Sequence, residues 1–388
     1  MDFSLNESQQ AVADLADQIF ESRISPEGLK ELEDSGAWHD PDTYAEIAKA
    51  GICGIGLSED VGGGGMGILE VAQALEAMGC HVAPLPLWSC NLAALAIDRF
   101  GSDEQRQREL PAVADGSSIL TVAIQEWHND NYRSPDMQAS PTDAGIWKLN
   151  GTKIVVEFAE ISSKVLLTAR TEDGVGLFLA DLADTGISWE PGESIRRQRV
   201  HELVFTDVEA EAVGDIQPPA SSSSVVWLCR MATALLCAIQ VGVLDKSLKM
   251  TAEYTSTRKQ FGRPIATFQA VTQRLADQFM HVNGTRLTTA HALYLLSSME
   301  DSTGGDDLGK EVSAAAGEEI DKALHVAKWY ASHCAHEVAH ATQHVHGGMG
   351  VDRDYPLHRY TLWNNHIEGS LGAGTQQLRH LGEILATS

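Results

Sequence analysis

The sequence is short of positive charge and of paired cysteines. It has 28 Lys and Arg residues against 54 Asp and Glu residues, a formal net charge of −26. A field of that sign repels nucleic-acid phosphates and anionic lipids, so composition argues against nucleic-acid and membrane-surface functions. None of the six cysteines belongs to a Cys-x-x-Cys pair, and their apolar neighbours indicate buried, reduced thiols.

The sequence also lacks a long uninterrupted apolar run. Its most apolar stretch, residues 231–244, is shorter than the roughly 20 residues that a membrane-spanning helix needs, so we expect a buried helix there. The N-terminal sequence MDFSLNESQQ has no basic start and no apolar core, so we expect no signal peptide and a cytoplasmic protein. A chain of 388 residues can bury a large core without disulfides or structural metals.

The spacing of apolar residues changes twice and predicts three consecutive domains. They are N-terminal helices, a middle β domain and C-terminal helices, at residues 1–117, 118–215 and 225–388. In the last domain we expect long helices at residues 225–257, 266–298, 309–346 and 365–386. The order contains no βαβ alternation, so we predict an α+β multi-domain fold that ends in a four-helix bundle.

Turn-forming residues mark three further places. Asn150-Gly151 lies between alternating residues and predicts a β-hairpin. Residues 218–224, rich in proline and serine, predict a linker, and residues 302–307 predict a turn between helices.

A zinc-peptidase motif, H-E-x-x-H, occurs at residues 336–340. On a helix His336 and His340 share a face, and Glu337 would be the general base. His346 stands where a third ligand is expected, but Gln343 replaces the glycine of the extended motif. An unbroken helix would turn His346 roughly 60–100° away from the other two histidines, so we predict no metal site and keep zinc catalysis as an alternative.

The same helix also predicts a buried stripe and an opposite histidine surface. Apolar residues at helical spacing favour a packed face, and the histidines then face solvent or an interface. The two sets are Ile320, Leu324, Ala327, Ala331, Cys334, Val338, Ala341 and Val345, and His333, His336, His340 and His344.

Several motifs in one order resemble the acyl-CoA dehydrogenase family over the whole chain. They are R-K-Q-F-G-R-P-I at 258–265, L-N-G-T-K at 149–153, G-G-M-G at 347–350 and Y-P-L-H-R at 355–359. The resemblance implies the acyl-CoA dehydrogenase fold and an FAD-dependent oxidation of the Cα–Cβ bond of an acyl-CoA thioester. In that family each flavin lies between subunits: one subunit supplies the β-domain half of the site and its neighbour supplies a C-terminal domain.

The resemblance implies that this chain retains the half that a subunit donates to its neighbour's FAD. Arg258 matches the arginine that contacts the FAD pyrophosphate, and His344 stands where members usually have glutamine. The implied cofactor residues are Arg258, Phe261, Phe268, Gln269, His344, Gly347 and Gly348. The alternative interpretation is a surface arginine and a helix that ends in glycine.

The half that would hold the chain's own flavin departs from the family pattern. A Thr-Glu-Pro…Gly-Ser-Asp string is replaced by T-V-A-I-Q-E-W-H at 121–128. A Trp-Ile-Thr that covers the flavin ring is replaced by Val155, Val156 and Glu157. A carboxylate there would disfavour the negative charge of a reduced flavin.

The resemblance also implies that the catalytic base is missing. Ala373 and Ala232 stand at the two positions where members carry the glutamate that removes the α-proton. Glu368, five residues before Ala373, is the remaining candidate for a displaced base.

The chain therefore resembles most closely the base-less subunit of actinobacterial α2β2 acyl-CoA dehydrogenases that act on steroid (cholesterol) side-chain CoA thioesters. This implies three partners: a homologous catalytic subunit that shares FAD, an acyl-CoA substrate and an electron acceptor such as an electron-transfer flavoprotein. The alternatives are a self-sufficient homotetramer that uses Glu368, a non-catalytic scaffold subunit and the zinc peptidase.

Overall fold

Side-chain caps set the start of the N-terminal helices. The computed structural model of the chain describes residues 3–142, 145–218, 223–303 and 314–387. Six helices come first: α1 (Glu7–Arg23), α2 (Pro26–Ser35), α3 (Pro41–Lys49), α4 (Ile68–Cys80), α5 (Leu87–Phe100) and α6 (Asp103–Ala114). Asn6 and Gln9 form a capping box at the start of α1, and Ser102 and Gln105 form another at the start of α6.

Seven strands follow and close into a barrel. They are β1 (Leu120–Ala123), β2 (Gln138–Pro141), β3 (Trp147–Glu157), β4 (Lys164–Arg170), β5 (Val175–Asp181), β6 (Ile187–Glu193) and β7 (Arg199–Gln217). Pairing runs from β4 through β5, β7, β3 and β2, and returns to β4 at the pair Gln138–Arg170. Inward-facing Leu149, Phe178 and Leu203 are fully buried in its core.

The predicted β-hairpin at Asn150-Gly151 is wrong. β3 runs through these residues with a register shift against β7 between Leu149 and Gly151. The Asn150 side-chain amide donates to Asp207 Oδ1 at 3.0 Å, and Asn150 Oδ1 accepts from the Asp207 backbone N–H at 3.0 Å. A β-bulge held by this long-range pair therefore uses residues that more often make a two-residue turn.

Helices make up most of the remaining chain. They are α7 (Ser223–Thr257), α8 (Gln269–Thr303), α9 (Ala314–Trp329), α10 (Ala335–His346), α11 (Leu357–Gly369) and α12 (Gly374–Thr387). A two-stranded hairpin, β8 (Lys259–Gln260) and β9 (Arg263–Pro264), separates α7 from α8, and a π-helical turn, Tyr330–Cys334, joins α9 to α10.

The helices predicted at 225–257 and 266–298 are confirmed as α7 and α8, with shifted ends. The single helix predicted at 365–386 is wrong, because Leu371 and Gly372 have φ of 54° and 91° and separate α11 from α12. The predicted turn at 302–307 begins inside α8, and its residues 304–307 lie outside the described part of the chain. Residues 309–313 of the predicted helix and 219–222 of the predicted linker also lie outside it.

The elements group into two compact units, each built from more than one stretch. One unit contains Met1–Ala37, Ile68–Ala83 and Thr233–Ser388, and the other contains Trp38–Gly67 and Pro84–Ala232. In the first unit α4 and α7 touch through their backbones: a Cβ on Gly79 would lie 2.1 Å from the Ile239 carbonyl oxygen. Glycine is therefore required at that crossing. The boundaries of the three consecutive domains remain a prediction.

The long helix α7 is largely buried. In the described part of the chain, the stretch Ser224–Thr257 is long and apolar enough to cross a membrane by length and composition, and its most apolar 18-residue window has a mean hydropathy of 1.7. However, 78% of its most apolar window is buried inside the protein. Such burial is typical of a core helix and agrees with the buried helix predicted around residues 231–244.

Candidate functional site

The hairpin after α7 displays an aromatic side chain on a strained turn. Phe261 and Gly262, the two residues between β8 and β9, have φ of 53° and 79°. Positive φ at both central positions is typical of a type I′ turn, which suits glycine but strains phenylalanine. Phe261 is nevertheless 93% exposed. A strained and exposed aromatic residue indicates a contact with a molecule outside this chain.

Other residues predicted to bind a cofactor surround that turn. Phe268 lies edge-on to Phe261, with ring centroids 6.1 Å apart, and the Arg263 guanidinium lies 4.2 Å from the Phe268 ring centroid. Arg258 and Gln269 are exposed at the end of α7 and the start of α8. The four predicted residues Arg258, Phe261, Phe268 and Gln269 therefore occupy one surface segment.

A polar cleft of about 970 Å³ opens between α8 and α10. His344 and Gly347 line it from α10 and the residue that follows, and Gln273 and Arg274 line it from α8. Gly347 has φ 60° and ψ −135°, a conformation that is essentially restricted to glycine. A Cβ on Gly347 or Gly348 would meet no atom within 4 Å, so this backbone is open to a ligand.

A buried ion pair closes the end of β3. Arg196 Nη2 lies 2.5 Å from Glu157 Oε1, and the two residues are 9% and 8% exposed. Burial lowers the pKa of Arg196, and the Glu157 charge opposes that shift. The strand reaches Glu157 through a register shift between Lys153 and Val156, and Val155 has a φ of 55°, which is strained for a β-branched residue.

A second buried ion pair, inside the barrel, was not predicted. Lys153 is 0% exposed, and its Nζ donates to Glu126 Oε1 at 2.7 Å and to Thr168 Oγ1 at 3.0 Å. Burial alone would raise the pKa of Glu126, but the Lys153 ammonium and the backbone N–H groups of Asp136 and Met137 hold it below its ordinary value. The signal in the sequence is a lysine on the inward face of an alternating strand, which needs an anionic partner.

The two alanines at the expected base positions lie within a helix and directly before one. Ala232 is fully buried in α7, and its carbonyl accepts from Trp88 Nε1 at 3.3 Å. The Ala373 backbone N–H donates to Gln376 Oε1 at 2.9 Å, immediately before α12. Neither side chain can accept a proton.

Glu368, the remaining base candidate, already has a partner. Its Oε2 lies 3.2 Å from His336 Nδ1. Its backbone carbonyl accepts from Lys328 Nζ and Ser332 Oγ, each at 3.1 Å, at the end of α11. Lys328 is fully buried, which lowers its pKa to about 8, and it caps the helix end where a positive charge is favourable.

The predicted division of the helix around the zinc motif is confirmed. His333, His336, His340 and His344 are exposed, whereas Ile320, Leu324, Ala327, Ala331, Cys334, Val338 and Ala341 are buried and Val345 is half-buried.

His346, the third ligand in the zinc interpretation, forms hydrogen bonds away from the other two histidines. Rings of His336 and His340 lie 4.3 Å apart, but buried His346 bonds through its two ring nitrogens to the Thr342 carbonyl and to the Tyr355 hydroxyl. Among the residues that the structure describes, no group of three or more His, Cys, Asp or Glu side chains is arranged to hold a metal ion.

Comparison with known proteins identifies the family. The descriptions "Acyl-CoA dehydrogenase, N-terminal domain" and "Acyl-CoA dehydrogenase, C-terminal domain" match residues 6–117 and 228–385. Acyl-CoA dehydrogenase FadE27 of Mycobacterium tuberculosis is 36% identical over 387 residues, which cover 100% of this chain and 99% of that protein. The chain belongs to the acyl-CoA dehydrogenase family.

Solved acyl-CoA dehydrogenases share the fold. A chain of the ChsE4–ChsE5 complex from Mycobacterium tuberculosis matches with a TM-score of 0.89 and 34% identity over 100% of both chains. A chain of a variant of the Tcur3481–Tcur3483 steroid ACAD matches with a TM-score of 0.87 and 38% identity over 99% of both chains. The predicted acyl-CoA dehydrogenase fold is confirmed.

A glutaryl-CoA dehydrogenase from Mycobacterium smegmatis, which shares the fold, is described in complex with FADH2. Two regions of this chain differ in their fit to such a flavin cofactor. The surface segment offers a guanidinium and an exposed aromatic ring, and Gly347 and Gly348 offer open backbone, which suit a pyrophosphate and an adenosine. The cleft itself is mixed in charge, because Asp277 and Glu337 line it together with Arg274. The end of β3 does not fit a flavin ring, because a buried carboxylate and guanidinium hold each other there and a reduced flavin would add negative charge beside Glu157.

Proposed function

We propose that this chain is the cofactor-completing subunit of a heteromeric, FAD-dependent acyl-CoA dehydrogenase. In the proposed α2β2 complex, the surface around α7, α8 and α10 covers FAD that is held by a homologous catalytic chain. That partner chain supplies the carboxylate base. The reaction is α,β-desaturation of an acyl-CoA thioester, with a steroid side chain as the acyl group.

The observation that carries the proposal is the contrast between the donated and the retained halves of the site. Arg258, Phe261 and Gly348 are all exposed. Glu157 and Arg196, in contrast, are buried against each other. A chain that only donates a surface to its neighbour's cofactor needs the first set and has no use for an open pocket at the second.

The chemistry divides between the chains in the same way. When bound, FAD supplies the acceptor for the hydride that leaves the β-carbon. The α-proton needs a base within hydrogen-bond reach, and Ala232 and Ala373 provide none. The residues of this chain therefore bind and orient: Arg258 pairs with the pyrophosphate, and Gly347 and Gly348 allow the backbone to approach it.

The alternatives receive less support. A self-sufficient enzyme would need Glu368 as its base, but that carboxylate is bound to His336 beside the exposed histidine surface. A scaffold without a flavin contact leaves the strained, 93% exposed Phe261 and the open glycine backbone without a role.

The relatives and an apolar surface support the partner and the substrate class. The two solved relatives above are described as a steroid ACAD and as a two-protein complex. Apolar side chains on α8 that are 43–62% exposed are expected at a subunit interface; they are Phe279, Met280, Leu287 and Tyr294. An electron-transfer flavoprotein as electron acceptor remains a prediction from the family.

Charge reversal at Arg258 tests the proposal. In the complex with the partner chain, Arg258→Glu replaces a charge-assisted hydrogen bond with repulsion, so we expect FAD to bind at least roughly tenfold more weakly. The measurement is FAD retained per complex after gel filtration, from visible absorbance. Arg379→Glu, which reverses another exposed arginine, on α12, is the matched control and should retain FAD.

Two outcomes separate the alternatives. If the Arg258→Glu complex keeps full FAD and activity, the pyrophosphate assignment is wrong and the scaffold subunit becomes the better interpretation. If it loses FAD while the Arg379→Glu complex does not, the scaffold is excluded.

A further inference from the structure

Three aromatic rings from separate segments pack together beside the glycine pair. Tyr254 lies in the last turn of α7, His346 ends α10, and Tyr355 precedes α11. The Tyr254 and His346 rings are stacked, with centroids 4.2 Å apart and planes 22° apart. The Tyr355 ring lies 5.2 Å from His346 and 6.3 Å from Tyr254. We call these three residues the ring cluster.

Hydrogen bonds fix the orientation of the central imidazole. His346 Nδ1 lies 2.8 Å from the Thr342 carbonyl oxygen, which can only accept, so Nδ1 carries the proton. His346 Nε2 therefore accepts from the Tyr355 hydroxyl at 3.1 Å. Burial lowers the pKa of His346 and favours this neutral form. Each edge of the ring is held by a different segment.

The ring cluster joins the two elements that carry the proposed FAD contacts. The Tyr254 carbonyl accepts from the Arg258 backbone N–H at 2.8 Å, which places Arg258 one helical turn beyond the stack. His346 directly precedes Gly347, whose φ of 60° and ψ of −135° begin the open backbone. A shift of the imidazole would therefore move Gly347 and Gly348 relative to the end of α7.

We infer that His346, held by Tyr355, is a positioning residue that sets the spacing between Arg258 and the Gly347-Gly348 backbone. This inference rests on the proposed function, because it assigns the cluster to the same FAD contact. His346 touches no part of the cofactor in this account. It acts by holding the end of α7 and the Gly347-Gly348 backbone in a fixed relative position, from which Arg258 and that backbone would hold a pyrophosphate.

Removal of a single oxygen tests the inference. Tyr355→Phe keeps the ring and deletes the hydroxyl that donates a hydrogen bond to His346 Nε2. In the complex with the partner chain, we expect FAD to dissociate roughly three- to tenfold faster, the effect of one lost hydrogen bond. The measurement is the recovery of FAD fluorescence as cofactor is released, together with the visible circular dichroism of the bound flavin.

The matched control deletes a similar hydroxyl in the same unit. Tyr360 Oη donates to the Cys80 carbonyl at 2.8 Å and lies outside the ring cluster. Tyr360→Phe should lower the melting temperature at least as much as Tyr355→Phe and leave FAD release unchanged. Equal FAD release from both variants, or release from Tyr355→Phe at the wild-type rate, overturns the inference.

A rescue pair separates positioning from stability. His346→Gln places a side-chain oxygen near the former Nε2 and can still accept from Tyr355, whereas His346→Phe cannot. We expect His346→Gln to release FAD more slowly than His346→Phe. If Arg258→Glu loses FAD but no ring-cluster variant changes its release, only this inference fails. If all of these variants retain FAD as the wild type does, the proposed function fails as well.

Discussion

The surface from α7 to α10 and the interior of the barrel use charged side chains in opposite ways. On the surface, the Arg258 guanidinium is exposed, and His344 and Gly347 line an open cleft. Inside the barrel Lys153 is buried, and at the end of β3 Arg196 is buried, each bound to a carboxylate at 2.7 Å or less. An exposed cation remains available to a ligand, whereas a buried one is paired within the chain, and removal of one partner of a buried pair is strongly destabilising.

The difference shows how one acyl-CoA dehydrogenase chain could lose half of a cofactor site and remain folded. An empty polar pocket in the barrel would leave groups without partners, which is costly. Here Glu157 and Arg196 form an ion pair at the end of β3. Under the proposed function, the barrel would keep its stability without a flavin, and the surface segment would act only in contact with the partner's FAD.

Among the substitutions that test this comparison, removal of the barrel lysine should change the free energy of unfolding most. Lys153→Met removes the only cation described as bonded to buried Glu126 and leaves its carboxylate with neutral donors alone, so we expect the free energy of unfolding to fall by about 3–5 kcal/mol. Lys148→Met, on the same strand, breaks a partly exposed pair with Glu209 and should cost at most about 1 kcal/mol. Urea unfolding of the chain alone measures both. Equal losses of free energy would show that the buried Lys153–Glu126 pair matters no more to stability than an exposed ion pair.

Loss of the pair at the end of β3 should be nearly as costly when only one partner is removed. Arg196→Met alone should lower the free energy of unfolding by about 3 kcal/mol or more, because Glu157 is left buried and charged. Adding Glu157→Val should recover much of that loss, since both charges are then gone. A double-mutant cycle by urea unfolding checks the recovery. If the double variant is no more stable than Arg196→Met, the two residues are not coupled.

Substitutions at two adjacent glycines should have smaller effects, and they should distinguish a loss of stability from a loss of the cofactor contact. Gly347→Ala forces a side chain into a strained conformation and should cost about 1–3 kcal/mol in the chain alone. Gly348→Ala has no such strain and should leave the melting temperature unchanged, yet weaken FAD retention in the complex. Thermal unfolding and flavin absorbance measure the two effects. Full FAD retention by Gly348→Ala would contradict the proposed backbone approach.

Periodicity predicted the parts of the fold that depend on local spacing. The buried stripe from Ile320 to Val345 and the exposed histidines opposite it follow from the helical repeat alone. The break at Leu371 and Gly372 does not, because residues on both sides keep helical composition while the backbone turns left-handed. Asn150-Gly151 was misassigned for a related reason: Asp207, 57 residues away, decides its conformation.

The candidate site likewise contains residues that the sequence predicted and residues that it could not predict. Arg258, Phe261 and Gly347 were predicted from family motifs, which are contiguous in sequence. The partners of Glu157 and Lys153 could not be predicted, because Arg196 and Glu126 meet them only after the chain folds. The ring cluster likewise joins three segments that no local pattern connects.

The visible flavin spectrum tests the central claim most directly, for the chain purified alone and then co-purified with its catalytic partner chain. We predict a colourless chain alone and a yellow complex with about one flavin per pair of chains. A chain that is yellow alone, with full occupancy, would contradict it and would make Glu368 the base to test next.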